Sequence, residues 1–146
     1  MLKLIISMLI SSLVGLTAFA HGEDKPGPHG GHIRMPANFH TEVIQDLDGS
    51  FHIYLLDMQF KEPIVKKSSV KAFVLNGKKK SSLKCKVMAD HFHCVGAAPN
   101  SSGNLVIKAK RNGTKASMDA KYELPIKPFA LKDGETPAVQ DHSKHH

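Results

Sequence analysis

Short runs of alternating apolar and polar residues dominate the chain from residue 40 to residue 124. β-Branched and aromatic residues fill these runs, and Gly, Asn, Asp and Pro separate them, which is the pattern of strands joined by turns. No segment has a convincing helical period. The pattern predicts an all-β fold, an antiparallel sandwich or a small barrel, with strands at 40–47, 50–58, 64–67, 69–75, 81–88, 91–95, 104–111 and 115–124.

The segments on either side of this region have a different composition. Residues 21–39 are rich in Gly, Pro and His without strand or helix periodicity, and we expect an extended N-terminal arm. Residues 125–146 carry three prolines and no periodicity, and we expect a flexible tail that contains histidines. The domain itself is therefore predicted to span 40–124.

The first twenty residues have the features of a cleaved signal peptide. Lys3 supplies the positive charge, an apolar run follows, and Ala18-Phe19-Ala20 gives a small-x-small cleavage pattern. The run is shorter than the roughly 20 residues that span a bilayer, and no second apolar segment follows. We predict export to the periplasm, or secretion from a host with one membrane, with no membrane insertion after cleavage.

Composition and motifs exclude several functions. The chain carries a formal charge of +7, and the signal peptide accounts for one of its cations and none of its acids. The lysines are scattered over alternating strand positions and aromatic residues are few, so we expect no nucleic-acid partner. Gly-x-Ser-x-Gly, His-Glu-x-x-His and phosphate-loop motifs are absent from the sequence. We therefore expect a monomer that is not an enzyme.

Two cysteines in an exported chain are most simply one disulfide. A tight hairpin that turns at Ala89-Asp90 places Cys85 directly opposite Cys94, at a Cα separation of about 4.5 Å. Two thiolate metal ligands are the alternative, and they would need a reducing compartment.

The ten histidines point to a metal, because neutral imidazole is the commonest side-chain ligand. Gly30-Gly31 allows the arm to wrap closely, so that several imidazoles converge on one ion. A two-residue turn at Asp48-Gly49 would place His40 opposite Asp57. The Asp57 carboxylate would then be a direct ligand or, as we predict, the acceptor of the free ring N–H; a plain His–Asp surface pair is the alternative. The predicted ligands are His21, His29, His32, His40 and Glu42.

Two further groups of histidines are secondary metal candidates. His91 and His93 share one face of a predicted strand, with Met88 across from His91, a set that would suit copper. The alternative is a pair of surface histidines, because Lys86 is a poor neighbour for a cation. The tail histidines would bind metal loosely, and they are His142, His145 and His146.

His52 is assigned a structural role, and His21 could form a different kind of copper site. His52 is predicted to face Gln45, and we interpret it as structural. Cleavage after Ala20 would give His21 a free α-amine beside its ring nitrogen, and with His29, His32 or His40 this would form a copper-binding histidine brace.

Two motifs in the first half of the chain resemble a known group. Gly27-Pro28-His29-Gly30-Gly31 and His40-x-Glu42, followed by Tyr54-Leu55-Leu56-Asp57, are similar to small periplasmic β-sandwich proteins and modules found with bacterial copper and heavy-metal efflux systems. The likeness covers roughly residues 27–75. The copper-resistance immunoglobulin-like sandwich is a looser analogy, and it implies seven or eight strands.

The leading functional hypothesis is a periplasmic protein that binds metal, buffering it or delivering it to a periplasmic component of an efflux system. Copper as Cu(II) or Cu(I) is the expected ion, with zinc or another divalent metal as the alternative. A non-catalytic structural or partner-binding sandwich with incidental histidines is the second hypothesis. A copper oxidative enzyme built on the histidine brace is the third.

Overall fold

The structure is a computed structural model that describes residues 25–129. The predicted signal peptide, His21 and the three tail histidines lie outside these residues. The described residues form nine strands and no helix. They are β1 (His32–Arg34), β2 (His40–Gln45), β3 (Phe51–Leu56), β4 (Ser69–Asn76), β5 (Lys79–Ser82), β6 (Lys84–Val87), β7 (Phe92–Val95), β8 (Gly103–Lys110) and β9 (Met118–Leu124).

The strands form two antiparallel sheets, which confirms the predicted all-β antiparallel class. Sheet A has five strands in the order β1-β2-β3-β7-β6, and sheet B has four in the order β5-β4-β8-β9. Between residues 25 and 129 we find no helix with the length and hydropathy that a bilayer crossing requires.

The inner faces of the two sheets enclose one hydrophobic core. Alternate residues of β3, including Phe51, Ile53 and Leu55, meet Leu105 and Ile107 of β8, and all five are fully buried. Alternation along a strand sends every second side chain to the opposite face. Sheet A therefore also presents an outer face, formed by the other positions of β2 and β3.

Two of the predicted strands are wrong. Residues 64–67 form no ladder, because the chain turns back at Lys67, whose φ is +54°, and Ser68 N donates to Val65 O. The predicted strand at 81–88 divides into β5 and β6, which belong to different sheets. Leu83 separates them: its side chain enters the core and its N–H donates to Ala72 O. These two changes leave the number of strands at eight, and the arm strand β1 is the ninth.

The turn between β2 and β3 is one residue longer than predicted. Asp46 N donates to Ser50 O, so three residues form the loop, and Gly49 adopts a φ of +88°. Three-residue loops commonly combine a type I turn with a left-handed residue of this kind. The register is consequently His40 with Leu56 and Ile44 with His52, and the predicted pairings of His40 with Asp57 and of His52 with Gln45 are wrong.

The predicted disulfide is confirmed. Cys85 of β6 lies opposite Cys94 of β7, with 4.0 Å between their Cα atoms, and the two sulfurs are bonded. The predicted hairpin around Ala89-Asp90 is also present, and Val87, which pairs with Phe92 next to the turn, is 56% exposed.

The arm extends sheet A as the short strand β1. Ile33 pairs with Glu42, and it packs with Tyr54 and Leu56 in a small apolar cluster on the outer face of the sheet. Arm residues therefore cover part of the face that the core does not use.

A buried hydroxyl pair joins the two sheets. The Tyr122 hydroxyl of β9 donates to the Thr41 carbonyl at 2.8 Å and lies 2.6 Å from Thr41 Oγ1 of β2. Burial also raises the pKa of the Tyr122 phenol, so it stays protonated and able to donate.

Tyr122→Phe should therefore lower the free energy of unfolding by about 1–2 kcal/mol, because two buried partners on Thr41 lose a hydrogen bond. Urea unfolding measures this change. Tyr54→Phe is the matched control: within residues 25–129 the Tyr54 hydroxyl has no hydrogen-bond partner, so its loss should cost less than about 0.5 kcal/mol. Equal effects from the two substitutions would contradict this account of the bridge.

Candidate metal centre

Strands β3 and β7 bring imidazoles together on the outer face of sheet A. His52 of β3 pairs with His93 of β7, and its other neighbour across the sheet is Ile44 of β2. The rings of His52 and His93 are stacked with 4.8 Å between their centroids. His91 lies one position before β7, and its ring is 4.9 Å from that of His52.

One acid completes a group with the geometry of a metal site. Asp46 lies in the β2–β3 loop, and its Oδ2 is 2.7 Å from His52 Nε2. Asp46, His52 and His93 each offer one ligand atom, and these atoms lie within 4.8 Å of one another. Two imidazole nitrogens and one carboxylate oxygen suit zinc and copper. We call these three residues the metal trio.

Hydrogen bonds extend from the trio into a chain of four residues. His52 Nδ1 lies 2.9 Å from His91 Nε2, and His91 Nδ1 lies 2.7 Å from Asp90 Oδ1. The chain therefore runs Asp46–His52–His91–Asp90, with a carboxylate at each end. Both ring nitrogens of each histidine are engaged within it.

Two neutral imidazoles supply two protons, but this hydrogen-bonded chain has three contacts. An ionised carboxylate only accepts hydrogen bonds, so His52 Nε2 donates to Asp46 and His91 Nδ1 donates to Asp90. Two neutral imidazoles then have no proton left for the contact between His52 Nδ1 and His91 Nε2. Without a metal, this third hydrogen bond requires an additional proton and thus an imidazolium.

The surroundings of His91 oppose that additional proton. Burial lowers the pKa of His91, and it outweighs the opposing effect of the hydrogen bond to Asp90. A positive charge on the chain is therefore disfavoured at His91 near neutral pH, although carboxylates stand at both ends.

A third carboxylate lies beside the trio. The hydroxyl and the backbone N–H of Ser50 both donate to Asp48 Oδ1, and these bonds lower the pKa of Asp48. On the other side, Lys86 is exposed and pairs with His93 across β6 and β7. The centre thus combines several acids with one nearby lysine.

A second arrangement on the same face fixes the arm. Glu42 is fully buried, and its Oε1 accepts the backbone N–H groups of His29 at 2.8 Å and Gly31 at 2.9 Å. Its Oε2 lies 2.7 Å from His29 Nδ1. A Cβ on Gly31 would lie 2.6 Å from Val43 O, so only glycine allows this approach. We call this set of contacts the Glu42 clamp.

Tyr54 connects the clamp to the chain of histidines. The ring of His29 stacks on that of Tyr54, with 3.8 Å between centroids and an interplanar angle of 7°. Tyr54 also contacts His91, at 4.9 Å between centroids. Burial, with additional effects of Asp90, Glu42 and Asp46, raises the pKa of Tyr54 to about 12, so its hydroxyl is no phenolate ligand near neutral pH.

The remaining predicted ligands lie apart from the trio. His40 Nδ1 donates to the backbone carbonyl of Asp57 at 3.0 Å, and its ring stacks on Phe60. The Asp57 carboxylate accepts backbone N–H groups in the following turn. His32 lies 2.6 Å from Lys127 O, and Met88 is an exposed residue whose N–H donates to His91 O. Of the predicted primary ligands within residues 25–129, His29 and Glu42 contact each other.

Sequence reasoning missed Asp46 and His52. The strand pattern predicts Asp46 within a strand, and the two-residue turn predicts His52 on the face opposite to that of Glu42. The signal that would have found them is a three-residue loop ending at Gly49, which places His52 on the same face as Glu42.

Comparisons with protein-family models, with curated proteins and with solved structures find no match for this chain.

The environment of Tyr54 predicts an unusual titration. In the folded protein, tyrosinate absorbance should be missing near pH 10, where free tyrosine ionises at about 10. In Tyr122→Phe, where Tyr54 is the remaining tyrosine, it should rise with a midpoint of about 12. The urea-unfolded chain is the control, and a folded-state transition near pH 10 would contradict the burial argument.

Proposed function

We propose that this protein is an exported, non-catalytic metal-binding protein that holds its ion at the metal trio of Asp46, His52 and His93. Copper is the preferred ion, and zinc is the alternative. In this proposal the protein buffers the ion or delivers it to a periplasmic component of an efflux system.

The observation that carries the proposal is that the hydrogen-bonded chain Asp46–His52–His91–Asp90 lacks one proton. With neutral imidazoles, no proton is left for the contact between the two histidines. A metal ion on His52 Nε2 would replace the proton that this atom gives to Asp46. The remaining proton of His52 would then sit on Nδ1 and donate to His91 Nε2, while His91 Nδ1 donates to Asp90. Every contact along the chain is then satisfied by neutral imidazoles, in the arrangement common to metal-bound histidines.

The donor set and its exposure support a site for exchange. Affinity for nitrogen and oxygen donors rises along the first-row divalent ions to a maximum at Cu²⁺, with Zn²⁺ below it. The side chains of His52 and Asp46 are 23% and 44% exposed, so an ion there would keep open coordination positions. Structural zinc sites are closed by four protein ligands, whereas an open site suits an ion that is taken up and passed on.

The disulfide and the N-terminal sequence together support an oxidising compartment outside the cytoplasm. The Cys85–Cys94 bond is consistent with an oxidising environment. With the predicted signal peptide, this supports export to the periplasm.

We also propose an immunoglobulin-like topology. Such domains pair four strands in the order A-B-E-D against a sheet that contains C, F and G, and variable-type domains add C′ beside C. The orders β2-β3-β7-β6 and β5-β4-β8-β9 match this arrangement in chain order. Strand β1 would then be an addition made by the arm.

Replacing the trio histidines tests the site. His52→Ala and His93→Ala should each weaken Cu(II) binding at least tenfold, which is about 1.4 kcal/mol, because each removes one of three ligands. Isothermal titration of the exported full chain measures this, with the three tail histidines replaced by serine in every variant so that loose binding does not mask the site.

His32→Ala is the matched control, because His32 lies on β1 against Lys127 and away from the trio. It should bind Cu(II) as the parent chain does. If the parent binds neither Cu(II) nor Zn(II), or if His52→Ala binds both unchanged, the proposed site is wrong.

Binding should also depend on pH. Protons compete with the metal for imidazole nitrogen, so Cu(II) affinity should be highest above about pH 7 and should fall as the pH drops below about 6. Thermal unfolding with and without Cu(II) reports this, because an ion that binds only the folded chain raises its stability. A shift in unfolding temperature that is the same at pH 5 and pH 7.5 would argue against histidine ligands.

A further inference from the structure

We propose that the N-terminal arm positions the metal centre, with His29, Glu42 and Tyr54 acting as positioning residues that hold His91 against His52. This inference rests on the proposed function, and it assigns these three residues a role without making them ligands.

The Glu42 clamp holds the arm against sheet A. Glu42 has no exposure to solvent, and three N–H groups of the arm meet its two oxygens. A buried carboxylate is costly unless it is hydrogen-bonded, so Glu42 ties the arm to the sheet. The arm also closes on itself, since Gly27 N donates to Gly31 O at 2.8 Å and Gly30 N donates to Gly27 O at 2.9 Å. His29 is therefore held at both its backbone and its ring.

The next step is the stack on Tyr54. Because Glu42 fixes Nδ1 of His29, the plane of the His29 ring is set, and that ring lies nearly parallel to the ring of Tyr54. Tyr54 is buried and belongs to β3, which lies between β2 and β7 in sheet A. On the β2 side, Tyr54 pairs with Glu42. Its ring thus contacts His29 of the arm and also His91, which is bonded to His52 in sheet A.

His91 joins Tyr54 to the metal trio, because it contacts both Tyr54 and His52. His91 precedes β7, so ladder pairing within that strand does not set its ring orientation. Its Nδ1 is bonded to Asp90, and its ring contacts that of Tyr54 at 4.9 Å between centroids and an interplanar angle of 33°. Nε2 of His91 must meet Nδ1 of His52 if His52 is to present Nε2 to an ion beside Asp46. Partners of this kind around a metal site change affinity by about 10–100-fold when they are removed.

The experiment compares Cu(II) affinity and the electron paramagnetic resonance spectrum of the Cu(II) complex across paired variants. His29→Ala and Tyr54→Leu should each weaken Cu(II) binding about tenfold and alter the spectrum. Tyr54→Phe keeps the ring and should restore both properties to those of the parent. His29→Ala keeps the backbone N–H bonds to Glu42, so the arm stays attached and the fold is retained.

Glu42→Gln tests the clamp itself, because the amide nitrogen of glutamine cannot accept a bond from His29 Nδ1. It should also weaken binding about tenfold, and Glu123→Gln on the exposed face of β9 makes the same change in charge without effect. If Glu42→Gln fails to fold, the His29 and Tyr54 variants decide the question.

The outcomes separate this inference from the proposed function. If the parent binds Cu(II), loses it in His52→Ala, and yet His29→Ala and Tyr54→Leu keep the affinity and spectrum of the parent, the positioning role is overturned and the metal site stands. If the parent binds no Cu(II), both are overturned. A lowered unfolding temperature with unchanged affinity and spectrum would mean that the arm only stabilises the fold.

Discussion

The register of the β2–β3 hairpin is the constraint on which the candidate site depends. With Gln45 opposite Phe51, the even-numbered residues of both strands share the outer face of sheet A. Glu42, His52 and Tyr54 consequently stand side by side, and His93 of β7 joins them. A shift of one residue would send His52 and Tyr54 into the core and Ile53 to the surface. Burial of Phe51, Ile53 and Leu55 thus fixes the metal trio as firmly as it fixes the core.

This dependence explains how far the sequence could be read. Strand positions, turn residues and cysteine spacing are local signals, so the all-β class and the Cys85–Cys94 pair were predictable. The length of the turn at Gly49 was not, because Asp-Gly suits both two-residue and three-residue loops. That single residue placed His40 opposite Leu56 in place of Asp57, and it placed His52 on the face of the trio. The break at Leu83 escaped prediction for a related reason: a tertiary contact with Ala72 overrode a continuous strand pattern.

The predicted ligands His29 and Glu42 illustrate a second limit. A histidine and a carboxylate at suitable spacing indicate a metal site only if their donor atoms are left for the ion. Here the oxygens of Glu42 are occupied by backbone N–H groups and by the ring of His29. Sequence gives residue types and approximate faces, but it does not give the competition between ligands and backbone donors. The arm motif therefore has the composition of a metal site and the contacts of a structural clamp.

The two arrangements on the outer face are linked by electrostatics as well as by contact. Glu42, Asp46 and Asp90 all raise the pKa of Tyr54, so the negative potential of this face extends along the row of rings. The clamp offsets its own carboxylate with N–H dipoles and needs no cation. The hydrogen-bonded chain Asp46–His52–His91–Asp90 has a carboxylate at each end and two imidazoles between them. Burial lowers the pKa of His91. In the proposed function a metal ion would supply the positive charge there without an imidazolium, which is why we propose the trio, and not the clamp, as its site.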